Sequence, residues 1–309
     1  MVFAKKKWGQ NFLVDNNLLE KIIKTINIKD TEHVLEIGPG QGALSEKLVD
    51  VANSLSMVEI DPDLIERLKV HEKLSGLKII KTINIKDTEH VLEIGPGQGA
   101  LSEKLVDVAK SLSMVEIDPD LIERLKVHEK LSGLTIINQD ILKVDLESLS
   151  IDSPVVVGNI PYNITSPIIF WLIDHFDYWD RAYLMVQKEV AQRLTASIGT
   201  KDYSRVTVMT SLFFDIQICF SISPNVFLPK PKVQSAFISI TKRSDFDQKN
   251  VNVKKFSQVV RMAFNQRRKM LRNSLSTLTI DSDKCNIDFT RRPEQLTVDE
   301  FIDISNNII

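Results

Sequence analysis

A chain of 309 residues, 43% hydrophobic and 26% charged, carries enough apolar material for a real core, which excludes a disordered or fibrous protein and suits one large domain or two ordinary ones. No run of about eighteen apolar residues occurs, so no membrane-spanning helix is expected. The two cysteines, Cys219 and Cys285, are far apart in sequence, which fits a reducing cytoplasm better than a disulfide framework or a zinc site. A net charge of −2 hides an asymmetry. Val226–Leu275 holds twelve basic residues against two acids and carries +10, leaving −12 for the remainder. That distribution suits a polyanionic partner or, equally, a solvated helix face.

Residues 1–10 are basic with no apolar stretch behind them, and they do not read as a secretory signal. Asp15 can cap a helix that places Leu18, Leu19, Ile22, Ile23 and Ile26 on one side. Then the chain repeats itself. Lys21–Leu77 recurs as Lys78–Leu134, offset by 57 residues, and the copies differ only at Asn53 against Lys110. Natural arrays diverge and run to three or more units, so two near-identical copies read as a duplication with one copy surplus. Each copy predicts a strand (His33–Ile37), a turn (Gly38-Pro-Gly-Gln-Gly42), a helix (44–51), a strand (54–60) and a helix (62–70). Copy two leaves Asp87–Ile309 continuous, which favours it as the copy that joins the main sheet. Copy one stays beside the N-terminal residues.

Beyond the repeat the pattern predicts a strand at Thr135–Asn138 ending in Gln139-Asp140, and an apolar strand at Pro154–Val157 leading into Gly158-Asn-Ile-Pro-Tyr162. A helix (167–173), a strand (182–186) and a helix (188–196) follow. Residues 206–222 read as strand-like and mixed apolar segments, and 236–240 alternate like an edge strand. Strands alternating with helices predict an α/β fold with a parallel, doubly wound sheet. After about Arg243 the chain turns basic and helical. The expected domains are therefore 1–243, containing the duplicated unit, and a small all-helical domain at 244–309.

A strand that ends in glycines before a helix is a nucleoside or phosphate site by default, because small residues let the backbone approach a ligand and the helix N-terminus offers free N–H groups. The spacing here is GxGxG, not the dinucleotide GxGxxG. S-adenosylmethionine has no pyrophosphate and suits the tighter turn. Gly38 and Gly40, or Gly95 and Gly97, would lie against it. Glu36, just before the turn, can face its cationic end. Glu59, or Glu116 in copy two, can take both ribose hydroxyls, and Asp140 the adenine amino group.

Asn159-Ile-Pro-Tyr162 points to the chemistry. The N6 amine of adenine is a poor nucleophile because its lone pair is delocalised into the ring. Asn159 and the carbonyl of Ile160 or Pro161 can accept its two hydrogens, Pro161 fixes the turn, and Tyr162 offers a face on which a flipped-out base can stack. Phe227, in Asn-Val-Phe-Leu-Pro-Lys-Pro-Lys232, suits base stacking and suits a core aromatic equally. No metal is required, since a sulfonium methyl is already activated, and the five histidines show no ligand spacing.

On these segments, together with Lys7-Trp-Gly-Gln-Asn-Phe-Leu-Val-Asp15, Met185-Val-Gln-Lys-Glu-Val190, Arg267-Arg-Lys269 with Asn273-Ser-Leu275, and Arg292-Pro-Glu-Gln-Leu296, the chain resembles the bacterial small-subunit ribosomal RNA adenine N6-dimethyltransferases of the KsgA type. The resemblance spans all but the surplus copy. It implies a Rossmann-like class I methyltransferase domain, S-adenosylmethionine as cofactor, the small ribosomal subunit and its 16S rRNA as partner, a cytoplasmic enzyme, and two methyl groups on each of two adjacent adenines. It also implies that Asn11 and Leu13 join the glycine turn, Glu59, Asp140 and Asn159 around the cofactor, and that Asn159, Tyr162 and Phe227 hold the adenine. The expected state is a monomer, with a domain-swapped dimer as the alternative that the surplus copy allows. A non-catalytic RNA-binding ribosome-assembly factor and a large-subunit rRNA methyltransferase of the macrolide-resistance type are the competing functions. The tail motifs favour the small-subunit enzyme.

Overall fold

The computed structural model describes residues 15–28, 33–37, 39, 41–52, 54–58, 64, 68, 82–222, 224, 233–246, 249–281 and 284–309. Of the expected site residues, Asn11, Leu13, Gly38, Gly40, Glu59 and Phe227 lie outside this set.

Copy one, with the residues before it, forms α1 (Asn16–Ile26), β1 (His33–Ile37), α2 (Ser45–Val51) and β2 (Ser54–Val58). The Asp15 carboxylate caps α1 by accepting from Leu18 N–H at 3.0 Å, as its position predicts. Among the described residues β1 and β2 pair only with each other, as a two-stranded parallel sheet. Copy two supplies β3 (His90–Ile94), the short α3 (Ser102–Leu105), β4 (Ser111–Glu116) and α4 (Pro119–Lys126). The rest of the chain adds β5 (Thr135–Asn138), β6 (Val155–Asn159), α5 (Thr165–Asp174), β7 (Arg181–Gln187), α6 (Lys188–Leu194), α7 (Arg205–Phe213), β8 (Phe214–Ile222) and β9 (Ser235–Lys242). The C-terminal stretch adds α8 (Val253–Asn265), α9 (Leu271–Ser274) and α10 (Val298–Asn306).

The main sheet has seven strands in the order β5-β4-β3-β6-β7-β9-β8. It is mixed, not wholly parallel: β9 runs antiparallel to both β7 and β8. Two local expectations change. Residues 236–240 belong to an interior strand, and β8 is the edge. Ser235 and Ser239 bracket the apolar run Ala236-Phe-Ile238, and β9 is buried along most of its length, so the pattern does not mean that one face meets water. The stretch 206–222 is half helix and half strand. Its helix, α7, starts at a capping box between Ser204 and Thr207. Val208, Met209, Leu212 and Phe213 are buried along with Thr207 and Thr210, so no one-sided apolar period marks it.

Alternation along the inner strands divides the core. Leu92, Ile94, Val156, Leu184 and Ile238 face one cluster, and Val91, Met114, Val155, Val157 and Met185 face the other. The C-terminal helices join the first cluster through Phe256, Val259, Val260, Ala263, Phe301 and Ile304. Tyr203 hydroxyl donates to the Leu296 carbonyl at 2.8 Å, and Gly199 N–H donates to that of Glu294 at 2.8 Å. Among the described residues, no helix is long and apolar enough to cross a membrane.

Candidate active site

From β3 the chain winds outward through β4 to β5, then returns to place β6 on the other side of β3. An open sheet binds ligands at such a reversal, beyond the carboxyl ends of the two strands. At the end of β3 stands the copy-two glycine turn; at the end of β6 stands Asn159. They are near neighbours: a Cβ added to Gly95 would lie 3.8 Å from the Asn159 carbonyl oxygen. Gly158 lets the strands close, because a Cβ there would come within 2.9 Å of Ile160 Cγ2 and 3.3 Å of Ile94 Cβ. Gly97 adopts φ +60° with open space beside its Cα. Gly99 at φ +90° has a different role, since a Cβ there would meet Leu131 Cδ1 at 2.6 Å. It seats the turn on the segment that follows α4.

Carboxyl groups line this end of the sheet. Glu116, at the end of β4, is buried. Its Oε1 accepts from Ile117 N–H at 2.9 Å and Asp118 N–H at 3.0 Å, and its Oε2 from Gly97 N–H at 3.3 Å. One carboxylate therefore ties the β4 end to the glycine turn. Asp140 follows β5, half-buried, and accepts from Leu142 N–H at 3.1 Å. Glu93, the copy-two counterpart of Glu36, is only 2% exposed. Burial pushes its carboxyl up to about 7, nearby Glu116 adds to the shift, and the Ser102 hydroxyl opposes it. The pair makes no well-aligned hydrogen bond, for Glu93 Oε2 and Ser102 Oγ are both buried without a partner. A buried unpaired carboxyl oxygen costs about 1–3 kcal/mol and gains by meeting a cation.

Asn159 is exposed at its strand end, and among the described residues its amide makes no hydrogen bond, which leaves it available to a ligand. Pro161 sets the start of a short turn, Tyr162–Ile164. The Tyr162 ring is held by its hydroxyl, 2.5 Å from Ser235 Oγ on β9. Ser235 was not legible in the sequence as a site residue, because the contact spans 73 positions.

Beside this turn, α5, α6, α7 and Arg267 border an open pocket of about 660 Å³ lined by Ser166, Phe170, Arg193, Lys201 and Arg205 among others. Arg193 pairs with Glu189 and Arg267 with Glu294. Lys201 and Arg205 have no ion pair among the described residues. The basic stretch divides the same way. Arg243 and Lys249 bind Asp245 and are structural, whereas Lys254, Arg261, Arg268, Lys269 and Arg272 are exposed and unpaired among the described residues.

A family described as ribosomal RNA adenine dimethylase matches residues 1–77 and 71–309. The chain belongs to the ribosomal RNA adenine dimethylase family. It is 39% identical to ribosomal RNA small subunit methyltransferase A of Coxiella burnetii over 77% of this chain and 93% of that one. It is 32% identical to the protein of the same name from Shewanella loihica, over 99% of this chain and 94% of that one. Among solved structures it is similar to a dimethyladenosine transferase from Plasmodium falciparum, with a TM-score of 0.65 and 27% identity over 76% of this chain and 97% of that one. The two family segments fit the repeat: one ends with copy one, and the other takes in copy two and everything after it.

Proposed function

We propose that this dimethylase uses S-adenosylmethionine to methylate the N6 amines of two adjacent adenines near the 3′ end of small-subunit ribosomal RNA, placing two methyl groups on each. The observation that carries the reading is the placement of the Gly95 turn beside Asn159, at the adjacent ends of β3 and β6 where the sheet reverses.

The residues present fit the cofactor. The buried, unpaired oxygen of Glu93 suits a ligand with a cationic end, and the backbone-held Glu116 suits vicinal hydroxyls. S-adenosylmethionine, when bound, supplies a methyl group already activated by its sulfonium. Gly95, Gly97, Glu116 and Asp140 would hold it. Asn159 and the carbonyl of Ile160 or Pro161 accept the two N6 hydrogens and draw the nitrogen towards a tetrahedral form. Tyr162, steadied by Ser235, stacks on the flipped base, worth about 1–3 kcal/mol, and Phe227 takes the other face. No strong base is needed, so catalysis rests on positioning.

The free cations Lys201, Arg205, Lys254, Arg261, Arg268, Lys269 and Arg272 suit a phosphate backbone. In this reading residues 1–243 form the catalytic domain, residues 244–309 the rRNA-binding domain, and the chain works as a cytoplasmic monomer.

The test is transfer of labelled methyl from S-adenosylmethionine to small subunits lacking the modification, with Asn159→Ala as control. Label in adenine, reduced about 10²–10³-fold in the variant while cofactor binding persists, is the expected result. Subunits that bind the wild-type chain but stay unlabelled overturn the reading in favour of an assembly factor.

A further inference from the structure

We propose that the two copies are interchangeable. Copy one can replace copy two in the seven-stranded sheet and rebuild the cofactor site there, so the chain carries two alternative half-sites for one cofactor. The identity of the ligand rests on the function proposed above; the exchange itself does not.

Four observations carry the inference. First, the strand pairs are already the same object. β1 and β2 pair in the register His33↔Ser54 to Ile37↔Val58, and β3 and β4 in the register His90↔Ser111 to Ile94↔Val115. Second, the described end of the copy-one turn has the copy-two geometry. Gly42 has φ 89° against 90° for Gly99. Gly42 N–H donates to the Pro39 carbonyl at 2.9 Å, and Gly99 N–H to that of Pro96 at 3.0 Å. Ser45 even donates to Glu36 Oε2 at 2.6 Å, a bond the copy-two pair lacks.

Third, everything the main sheet adds comes from outside the repeat. β4 pairs with β5 and β3 with β6, whereas among the described residues β1 and β2 have no further strand partner. Residues that copy two buries stand out in copy one: Ile26 is 52% exposed and Ile83 0%, Met57 37% and Met114 0%. Exchange would bury the first of each pair and release the second, so the apolar gain and loss nearly cancel. Fourth, the one difference in sequence does not discriminate. Lys110 is exposed, and only its backbone N–H is engaged, with the Glu89 carbonyl at 2.9 Å. Connectivity alone separates the threadings, and loop closure depends weakly on length.

A charge at a buried apolar position bars one copy from the sheet. Met114→Asp disables copy two, Met57→Asp burdens copy one, and the double variant disables both. Each is followed on the monomer by S-adenosylmethionine calorimetry and by hydrogen exchange, where peptides holding Asn53 or Lys110 differ in mass and identify their copy. In the wild type the Lys110 peptide exchanges more slowly. The expected result is that Met114→Asp reverses this order and binds cofactor within about tenfold of wild type, while the double variant neither folds nor binds. If Met114→Asp unfolds as the double variant does, or keeps the wild-type order, the copies do not exchange. If the wild type fails to bind S-adenosylmethionine, the cofactor reading falls, and the exchange order still decides this proposal.

Discussion

Residues 21–77 and 78–134 share all but one side chain, yet among the described residues one segment supplies a two-stranded sheet and the other two strands of a seven-stranded sheet. The difference lies in what each meets. β3 has β6 on its free edge, and Arg181 at the start of β7 grips Glu89 through two bonds, 2.9 Å from Nη1 and 3.0 Å from Nη2. Arg181 also donates to the carbonyls of Ile83 and Asn84. Local sequence dictates a β-α-β unit in both places. Neighbours decide whether that unit becomes the centre of the sheet or leaves residues such as Ile26 and Met57 exposed.

The sharpest way to press the contrast is at equivalent isoleucines. With copy one held out of competition by Met57→Asp, Ile83→Ala should lower unfolding free energy by about 2–5 kcal/mol, whereas Ile26→Ala in the wild type should change it by less than about 0.5 kcal/mol. Denaturant titration checks both. Equal losses would mean that the two units are equally buried in solution, against the 0% and 52% exposures.

A smaller effect is expected at the Arg181 clamp. Hydrogen bonds from Arg181 hold the Glu89 carboxyl down to about 2 from an ordinary 4.5. Its stabilisation is therefore complete above pH 4.5 and fades as pH falls towards 2. Glu89→Gln in the Met57→Asp background should cost about 1 kcal/mol at pH 7, after allowance for solvent screening, with the gap closing in acid melts. A constant gap across that range would detach the effect from ionisation.

Glu93 carries the opposite sign. Its carboxyl is raised from 4.5 to about 7 by burial, so it contributes most while protonated, below pH 4.5, and the stability is lost as pH rises through 7. Glu93→Gln should flatten melting temperature across that interval, by a few degrees at most. Glu36→Gln should move it less, since Ser45 already donates to Glu36.

Part of the candidate site stands out in the sequence itself. Gly95, Gly97 and Asn159 announce themselves by type and spacing, because a turn against a ligand and an acceptor at a strand end are local requirements. Ser235 behind Tyr162 and Arg181 beside Glu89 give no such signal, since each is a contact between distant segments. Helix α7 and the interior place of β9 escaped the pattern for a related reason: elements buried on most sides lose the apolar period that marks a half-exposed one.

The sequence by itself determined that each 57-residue copy makes a parallel pair of strands with a helix between them, Ser45–Val51 in one and Ser102–Leu105 in the other, because those forms follow from short-range sterics and hydrogen bonding. It also determined which side chains could serve the chemistry. Which copy enters the sheet, and how Gly95 comes to lie beside Asn159, only the tertiary structure decided. Both depend on edges and partners supplied from residues beyond the repeat, and no local sequence can specify a neighbour it does not contain.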